Sequence, residues 1–355
     1  MKKFLKVAGI ILLALILIAG GYVISVFASY HRIEDNLKLE PDLVGSNDAG
    51  KVSLNKTYSI MSYNIGYGAY TRDYSFFMDG GESSWAKSEP ALKDNLESIS
   101  KEINAANPDF LLLQEVDTDG TRSYHVNEAD ILKENIGNGA FVFAPNYDSP
   151  FLMYPITEPH GANKSGLLTK SSFGTVSSAV RRSLPVSDSV KKILDLDRCY
   201  SITRIPAEND KELCLYNVHL SAYGAEKSVR EGQLGLLMSD VKADMDKGNY
   251  VIIGGDFNHN LRSEGSDHVP EWAQLFPRES LPQGFNLAFE KCDNADITHD
   301  TCRNTDSGFV PGTSFTVMAD GFMVSDNIKV TDYTNVYTDF MYSDHTPVLM
   351  SFELN

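Results

Sequence analysis

The chain has 355 residues, 42% of them hydrophobic, and a formal net charge of -17. That length holds one large domain of about 300 residues plus an appendage, and the apolar share suits a substantial core. The acidity argues against tight, general binding to nucleic acid, which rests on phosphate neutralisation, and suits an exported protein kept soluble by its charge.

Lys2, Lys3 and Lys6 precede residues 7–28, a stretch of 22 residues without a charge. A helix of about 20 apolar residues crosses the hydrocarbon core of a bilayer. Two readings stand: an uncleaved anchor, and a secretory signal cut after Val26-Phe27-Ala28. Length favours the anchor, because signal-peptide apolar regions run about 7–15 residues. Lysines before the span, with Glu34 and Asp35 after it, leave the N-terminus cytoplasmic and the remainder outside. The expected location is thus the cell membrane, single-pass, with secretion after cleavage near Ala28 as the alternative. Residues 29–56, with Gly45, Ser46, Asn47, Asp48 and Gly50, read as a polar linker, and 57–355 as the domain.

In the domain, residues 58–63 read as a first strand and 71–87 as an extended aromatic loop. Ser88 can cap a helix with Pro90 in its first turn; Leu92, Leu96, Ile99 and Ile103 form its apolar stripe, and Asn107-Pro108 ends it. Residues 110–113 are a buried strand. Residues 199–205 and 213–218 form a hairpin. A helix follows over 226–247 with Val229, Leu236, Leu237 and Val241 inward, stopped by Gly248. Residues 250–253 are a fully apolar strand, 316–325 another candidate, and 348–352 the last. Strands and helices that alternate in part, with hairpins between, indicate an α/β layered domain.

Five polar clusters sit at the ends of these runs: Ser62-Tyr63-Asn64-Ile65, Leu113-Gln114-Glu115-Val116, Tyr216-Asn217-Val218-His219-Leu220, Ile253-Gly254-Gly255-Asp256-Phe257-Asn258 and Ser343-Asp344-His345-Thr346-Pro347. Each delivers a carboxylate, an amide or an imidazole where a strand stops, and strand ends are where layered α/β folds collect chemistry. Converged, they make one hard-cation site and two histidines, an inventory for metal-assisted cleavage of a phosphate ester. Asp256 and Asn258, two apart on an extended segment, face the same way.

In this order the clusters resemble the endonuclease/exonuclease/phosphatase superfamily, which includes deoxyribonuclease-like and sphingomyelinase-like branches, from about Thr57 to Asn355. The resemblance implies a four-layer α/β sandwich, two packed mixed sheets between helices. It implies that Glu115, Asn64 and Asp344 hold magnesium, with manganese or calcium as alternatives. Asp256 then orients the attacking water or the leaving oxygen, Asn258 bonds a phosphoryl oxygen, and Asp320 orients His345, a candidate general base. His219, in Asn-x-His-Leu, is a candidate general acid and points to the nuclease and sphingomyelinase branches. The segment 166–171 lacks an arginine and a tyrosine usual there, leaving Lys164 or Lys170 to contact phosphate. The expected activity is phosphodiester hydrolysis on nucleic acid or a phospholipid head group. The alternatives are a sphingomyelinase-like phospholipase C or a phosphomonoesterase, and, in a different class, a silent binding module. No obligate protein partner is implied.

The four cysteines, Cys199, Cys214, Cys292 and Cys302, contain no Cys-x-x-Cys pair for structural zinc. An oxidising exterior permits disulfides; Cys292 and Cys302, flanking a polar loop, are the favoured pair, Cys199 and Cys214 lie on the two hairpin strands, and the three connectivities of four cysteines stay open.

Overall fold

The structure, a computed structural model, describes residues 1–45, 50–187, 195–221, 226–262 and 273–355. It begins with helix α1 (Lys2–Ser29) and strands β1 (Leu37–Lys38), β2 (Asp42–Val44) and β3 (Thr57–Asn64). Helix α2 (Glu89–Ala106), β4 (Phe110–Gly120), α3 (Glu128–Ile136), β5 (Gly139–Asp148), β6 (Asn163–Ser171) and β7 (Ser178–Ser183) follow. Next come β8 (Cys199–Pro206), β9 (Glu212–His219), α4 (Lys227–Asp246) and β10 (Tyr250–Asp256). The chain ends with β11 (Phe285–Leu287), β12 (Cys302–Arg303), β13 (Thr316–Val317), β14 (Asp320–Ser325), β15 (Ile328–Asn335) and β16 (Val348–Leu354).

Two seven-stranded sheets dominate, in the orders β1-β7-β8-β9-β10-β14-β11 and β15-β16-β3-β4-β6-β5-β2. Alternation along the strands decides how they stack. In β3, Tyr58 and Ile60 enter the core between the sheets, whereas Met61 and Tyr63 face the stripe of α2. In β4, Phe110 and Leu112 go inward and Leu111 and Leu113 outward. Being apolar on both faces, these strands must be covered on both sides, as the expected layered sandwich requires.

Helix α2 forms as its signals predict. Ser88 accepts a hydrogen bond from Ala91 N–H at 3.2 Å, and Asn107 closes the helix in the left-handed conformation, φ 44°. Its four stripe residues, all buried, contribute a gross burial term of about 6–12 kcal/mol before entropy. On α4, Leu234 and Met238 are buried beside Val229, Leu237 and Val241, and the expected Leu236 is only partly covered. The single candidate strand over 316–325 is two, β13 and β14, with Asp320 opening the second.

The segment expected as a polar linker is drawn into both sheets. Strand β1 pairs with β7 at one edge, and β2 pairs with β5 at an edge of the other. Leu39 is buried against Val142, Ala144 and Leu167, apolar surface that a free tether would leave in water. Of its turn-forming run, 46–49 lie outside the described residues.

Each sheet has a parallel pair at its centre, β3–β4 in one and β9–β10 in the other. These pairs deliver Asn64, Glu115, His219 and Asp256 at their C-terminal ends. Strand β14 runs antiparallel to β10 with Asp320 opposite Asp256. Strand β16 runs antiparallel to β3 with Val348 opposite Ser62, so Asp344 and His345 arrive at the same end.

Candidate active site

Two backbone irregularities aim the side chains. The β4–β6 register shifts between Leu113 and Val116, and Glu115 has φ 54°. This bulge breaks the alternation: Gln114 enters the core between the sheets and Glu115 turns to the cleft. At Gly255, φ 147°, a Cβ would lie 2.0 Å from Val218 O. Only glycine lets β10 press against β9 there and bring Asp256 to His219.

The eight residues singled out in the sequence converge. Asn64 Nδ2 lies 3.1 Å from Glu115 Oε1, 3.2 Å from Asp256 Oδ2 and 3.4 Å from His345 Nε2. Asp256 Oδ2 faces two imidazoles, with His219 Nε2 and His345 Nε2 each 3.6 Å away. His345 Nδ1 is 2.7 Å from Asp320 Oδ2. Ser343 Oγ donates to Asn64 O at 2.8 Å and to Asp344 Oδ1 at 3.2 Å, seating Asp344 beside the amide.

Two details differ from the sequence reading. Asn64 Oδ1 accepts the Gly66 N–H at 3.0 Å, so its NH2 group, not its oxygen, faces the carboxylates. Asn258 is not on an extended segment, because φ 50° bends the chain after Asp256. Its N–H donates to Asp256 Oδ1 at 2.8 Å and its Nδ2 to Leu220 O at 2.8 Å. The asparagine braces the aspartate as well as standing beside it.

Electrostatics separate the titrating groups. Burial, reinforced by Asp344, pushes Glu115 up to about 7. Burial pushes Asp256 up to about 6 despite His345, and it raises Asp344. His345 is held well above its ordinary value: burial opposes its charge, but Asp320, then Cys302, Asp256 and Asp344, outweigh it. His219 falls well below, through burial and the positive charges of Arg198 and His345. At neutral pH the site therefore holds one charged and one neutral imidazole.

A hard divalent cation fits this donor set. Glu115, Asp256, Asp320 and Asp344 crowd one pocket. Three of them are raised, and Asp320 Oδ1 is buried without a hydrogen-bond partner. Oxygen-rich, negatively charged pockets of this kind suit magnesium or manganese. Ligand atoms of Asp256, Asp320 and His345 also lie within 4.8 Å of one another.

Several supporting residues were not singled out in the sequence. Asn217 accepts from Gln114 Nε2 at 2.8 Å and donates to Leu113 O, Leu168 O and Thr169 Oγ1, tying the two sheets together directly behind the site. Arg122 clamps Asp117 through two bonds of 2.9 and 2.7 Å and covers the Tyr67 ring at 3.8 Å. Asp117, a carboxylate within a buried strand, was the available signal, since it demands a partner. Cys302 Sγ lies 3.6 Å from His345 Nε2, and burial pushes its thiol up to about 12.

Other expectations are redirected. Lys170 pairs with Leu111 at the far end of β4 and reaches Ser172, so it does not contact the site; Lys164, opposite Asp119, lies toward the site end of β4. No disulfide forms: all four cysteines are free and buried. The hairpin register sets Cys214 opposite Arg204 and Tyr200 opposite Val218, placing Cys199 and Cys214 near its two ends. Cys302 pairs with Val317 in β12–β13. His125 contacts Asp119, His160 packs on Phe76 and Phe77, His259 bonds Phe257 O and His299 stacks on Tyr337.

The sequence profile of the Endonuclease/Exonuclease/phosphatase family matches residues 61–345. The chain belongs to that family. Its members hydrolyse phosphoesters and generally depend on a divalent metal. Solved structures of similar fold include an endonuclease/exonuclease/phosphatase from Beutenbergia cavernae (16% identity, 85% of this chain and 72% of that one, TM-score 0.59). Another is a family protein from Leptotrichia buccalis (14%, 84% and 100%, 0.57). A third is a mannosyl-6-phosphatase from Bacteroides thetaiotaomicron (16%, 83% and 99%, 0.53). No curated protein matches the sequence.

Proposed function

We propose that the protein is a magnesium-dependent phosphodiesterase anchored in the cell membrane by α1, with its domain outside the cytoplasm. The observation that carries the catalytic reading is the placement of Asp256 Oδ2 3.6 Å from both imidazole Nε2 atoms, beside Asn64 and Glu115. That spacing is too long for a direct hydrogen bond, so the carboxylate and the two rings are not bonded to one another and stay available to bond a phosphoester beside them.

Glu115 and Asp344 are the proposed carboxylate ligands, with Asn64 orienting Glu115. What a divalent cation supplies when bound there is neutralisation of charge on the phosphoryl oxygens. Asp256, with its value near 6, is ionised at neutral pH and takes a proton from the attacking water. As the new P–O bond forms and the leaving P–O bond breaks, imidazolium His345 gives its Nε2 proton to the leaving oxygen. Asp320 holds that ring in one orientation. Asp256 then returns its proton to His345, restoring both groups. Neutral His219 and the Asn258 amide hydrogen-bond the pentacovalent phosphorus group. The sequence reading has His219 as candidate acid and His345 as candidate base; the charge on His345 favours it as the acid instead.

The test is turnover by the full chain of plasmid DNA, RNA, sphingomyelin and an aryl phosphodiester, beside an aryl phosphomonoester. Cleavage of a diester supports the reading and the preferred substrate names the branch. Activity on the monoester alone would replace it with a phosphatase.

A further inference from the structure

Loops that stay in water rarely carry four large apolar side chains in seven residues. The segment 150–156 does, with Phe151 48%, Met153 53%, Tyr154 69% and Ile156 84% exposed. The loop is also tied to α1. Tyr22 Oη donates to Phe151 O at 3.1 Å and accepts from Met153 N–H at 3.0 Å. Tyr22 lies seven residues before the end of α1, about 10 Å at the rise of a helix. Counted over the uncharged stretch 7–28, Tyr22 lies in the outer third of the span, about 9 Å inside its outer end. The loop backbone bonded to it stands at the same depth, with a carbonyl and an N–H satisfied by the tyrosine, as an apolar medium requires.

The chain leaves the helix with no slack. His31 Nε2 is 3.4 Å from Asp148 Oδ2, Arg32 pairs with Asp197, and Arg181 donates to Glu34 O at 3.0 Å. Fastened within a few residues of Ser29, the domain is held close to the surface that α1 crosses. The loop is also continuous with the cleft. Tyr154 packs on Phe77 at 5.6 Å, Phe77 on Phe76 at 4.9 Å and Phe76 on Tyr70 at 5.6 Å. Tyr70 and Asp344 both lie against Gly66.

We propose that the loop 150–156 inserts into the outer leaflet beside α1, and that it presents the cleft to a phosphoester carried on a membrane lipid. The inference rests on the reading of α1 as a membrane span and, for the substrate, on the phosphoesterase reading. The full chain, reconstituted into phosphatidylcholine vesicles, is labelled with a polarity-sensitive NBD probe at I156C or at D210C. Asp210 is an exposed residue of the β8–β9 turn, at the end of β9 remote from His219. The four native thiols are buried and do not compete for label. Nitroxide-bearing phosphatidylcholine should quench the probe at 156 severalfold and leave that at 210 unchanged. Equal quenching at the two positions overturns insertion. So does a blue-shifted but unquenched probe at 156, which would instead mark contact with a second copy. Release of the chain by alkaline carbonate overturns the membrane span, and the proposal with it.

For the substrate, F151S/M153S/I156S should keep turnover of a soluble aryl phosphodiester and lose turnover of vesicle-borne sphingomyelin severalfold. Parallel losses, or none, would refute presentation to lipid. If the unaltered chain turns over neither compound, the phosphoesterase reading and the lipid-substrate claim fail together, and quenching alone still decides insertion.

Discussion

Removing the charge at Glu115 should abolish activity and yet stabilise the metal-free protein. Burial and Asp344 lift this carboxyl from its ordinary 4.5 to about 7. Between those pH values the folded state keeps a proton that the unfolded chain releases. Stability therefore falls as pH rises through the window and stays lower above it. At about 1.4 kcal/mol per pH unit, holding Glu115 ionised at pH 8 costs about 3 kcal/mol. The side chain keeps 24% of its surface exposed, which trims the cost to about 1–3 kcal/mol. Glu115→Gln removes it and relieves Asp344 as well. In EDTA at pH 8 the variant should melt about 2–6 °C above the unaltered chain; at pH 5, approaching the unfolded value of 4.5, the difference should shrink to about a quarter of that. Magnesium should reverse the order at pH 8, since it binds the folded unaltered chain selectively. Differential scanning fluorimetry at both pH values, with EDTA or magnesium, reads all three. A variant less stable at pH 8 in EDTA, or equally stabilised at both pH values, would refute the electrostatic argument.

Asp320→Asn should leave the fold intact and lower kcat by about 10²–10⁴-fold, with the His345 imidazole pKa falling by NMR titration; a kcat within twofold, roughly, would remove Asp320 from its positioning role. Asn217→Leu removes four hydrogen bonds that tie the sheets together and should cost about 3 kcal/mol in urea unfolding; an unchanged midpoint would contradict the cross-sheet tie. Thiol titration with DTNB should find no reactive cysteine in the native chain and four after denaturation; fewer than four on denaturation would reveal a disulfide.

What the sequence made legible follows from how far each signal reaches. The α2 stripe and its Ser88 cap are local, so they appear where expected. Asn64, Glu115, Asp256 and His345 were legible because polar residues at the ends of apolar strands have few reasons to be there. The role of Asn217 was not, because its partners Gln114, Leu168 and Thr169 come from the opposite sheet, and only tertiary packing brings them within reach. The bulge at Glu115 and the left-handed Asn258 were equally hidden, since neither is a glycine. Residues 29–56 looked like a tether because their strands are two and three residues long; pairing with β7 and β5, not their own pattern, makes them strands. Neither expected disulfide forms: the favoured Cys292 and Cys302 are buried in different apolar clusters, and register places Cys199 and Cys214 near opposite ends of one hairpin.

The most direct test of the central claim is magnesium-dependent hydrolysis of an aryl phosphodiester by the full chain and by its Glu115→Ala and His345→Ala variants. Turnover lost to EDTA, restored by magnesium and reduced by about 10²-fold or more in both variants is the expected result. Turnover that survives EDTA, or that either variant retains in full, would contradict it.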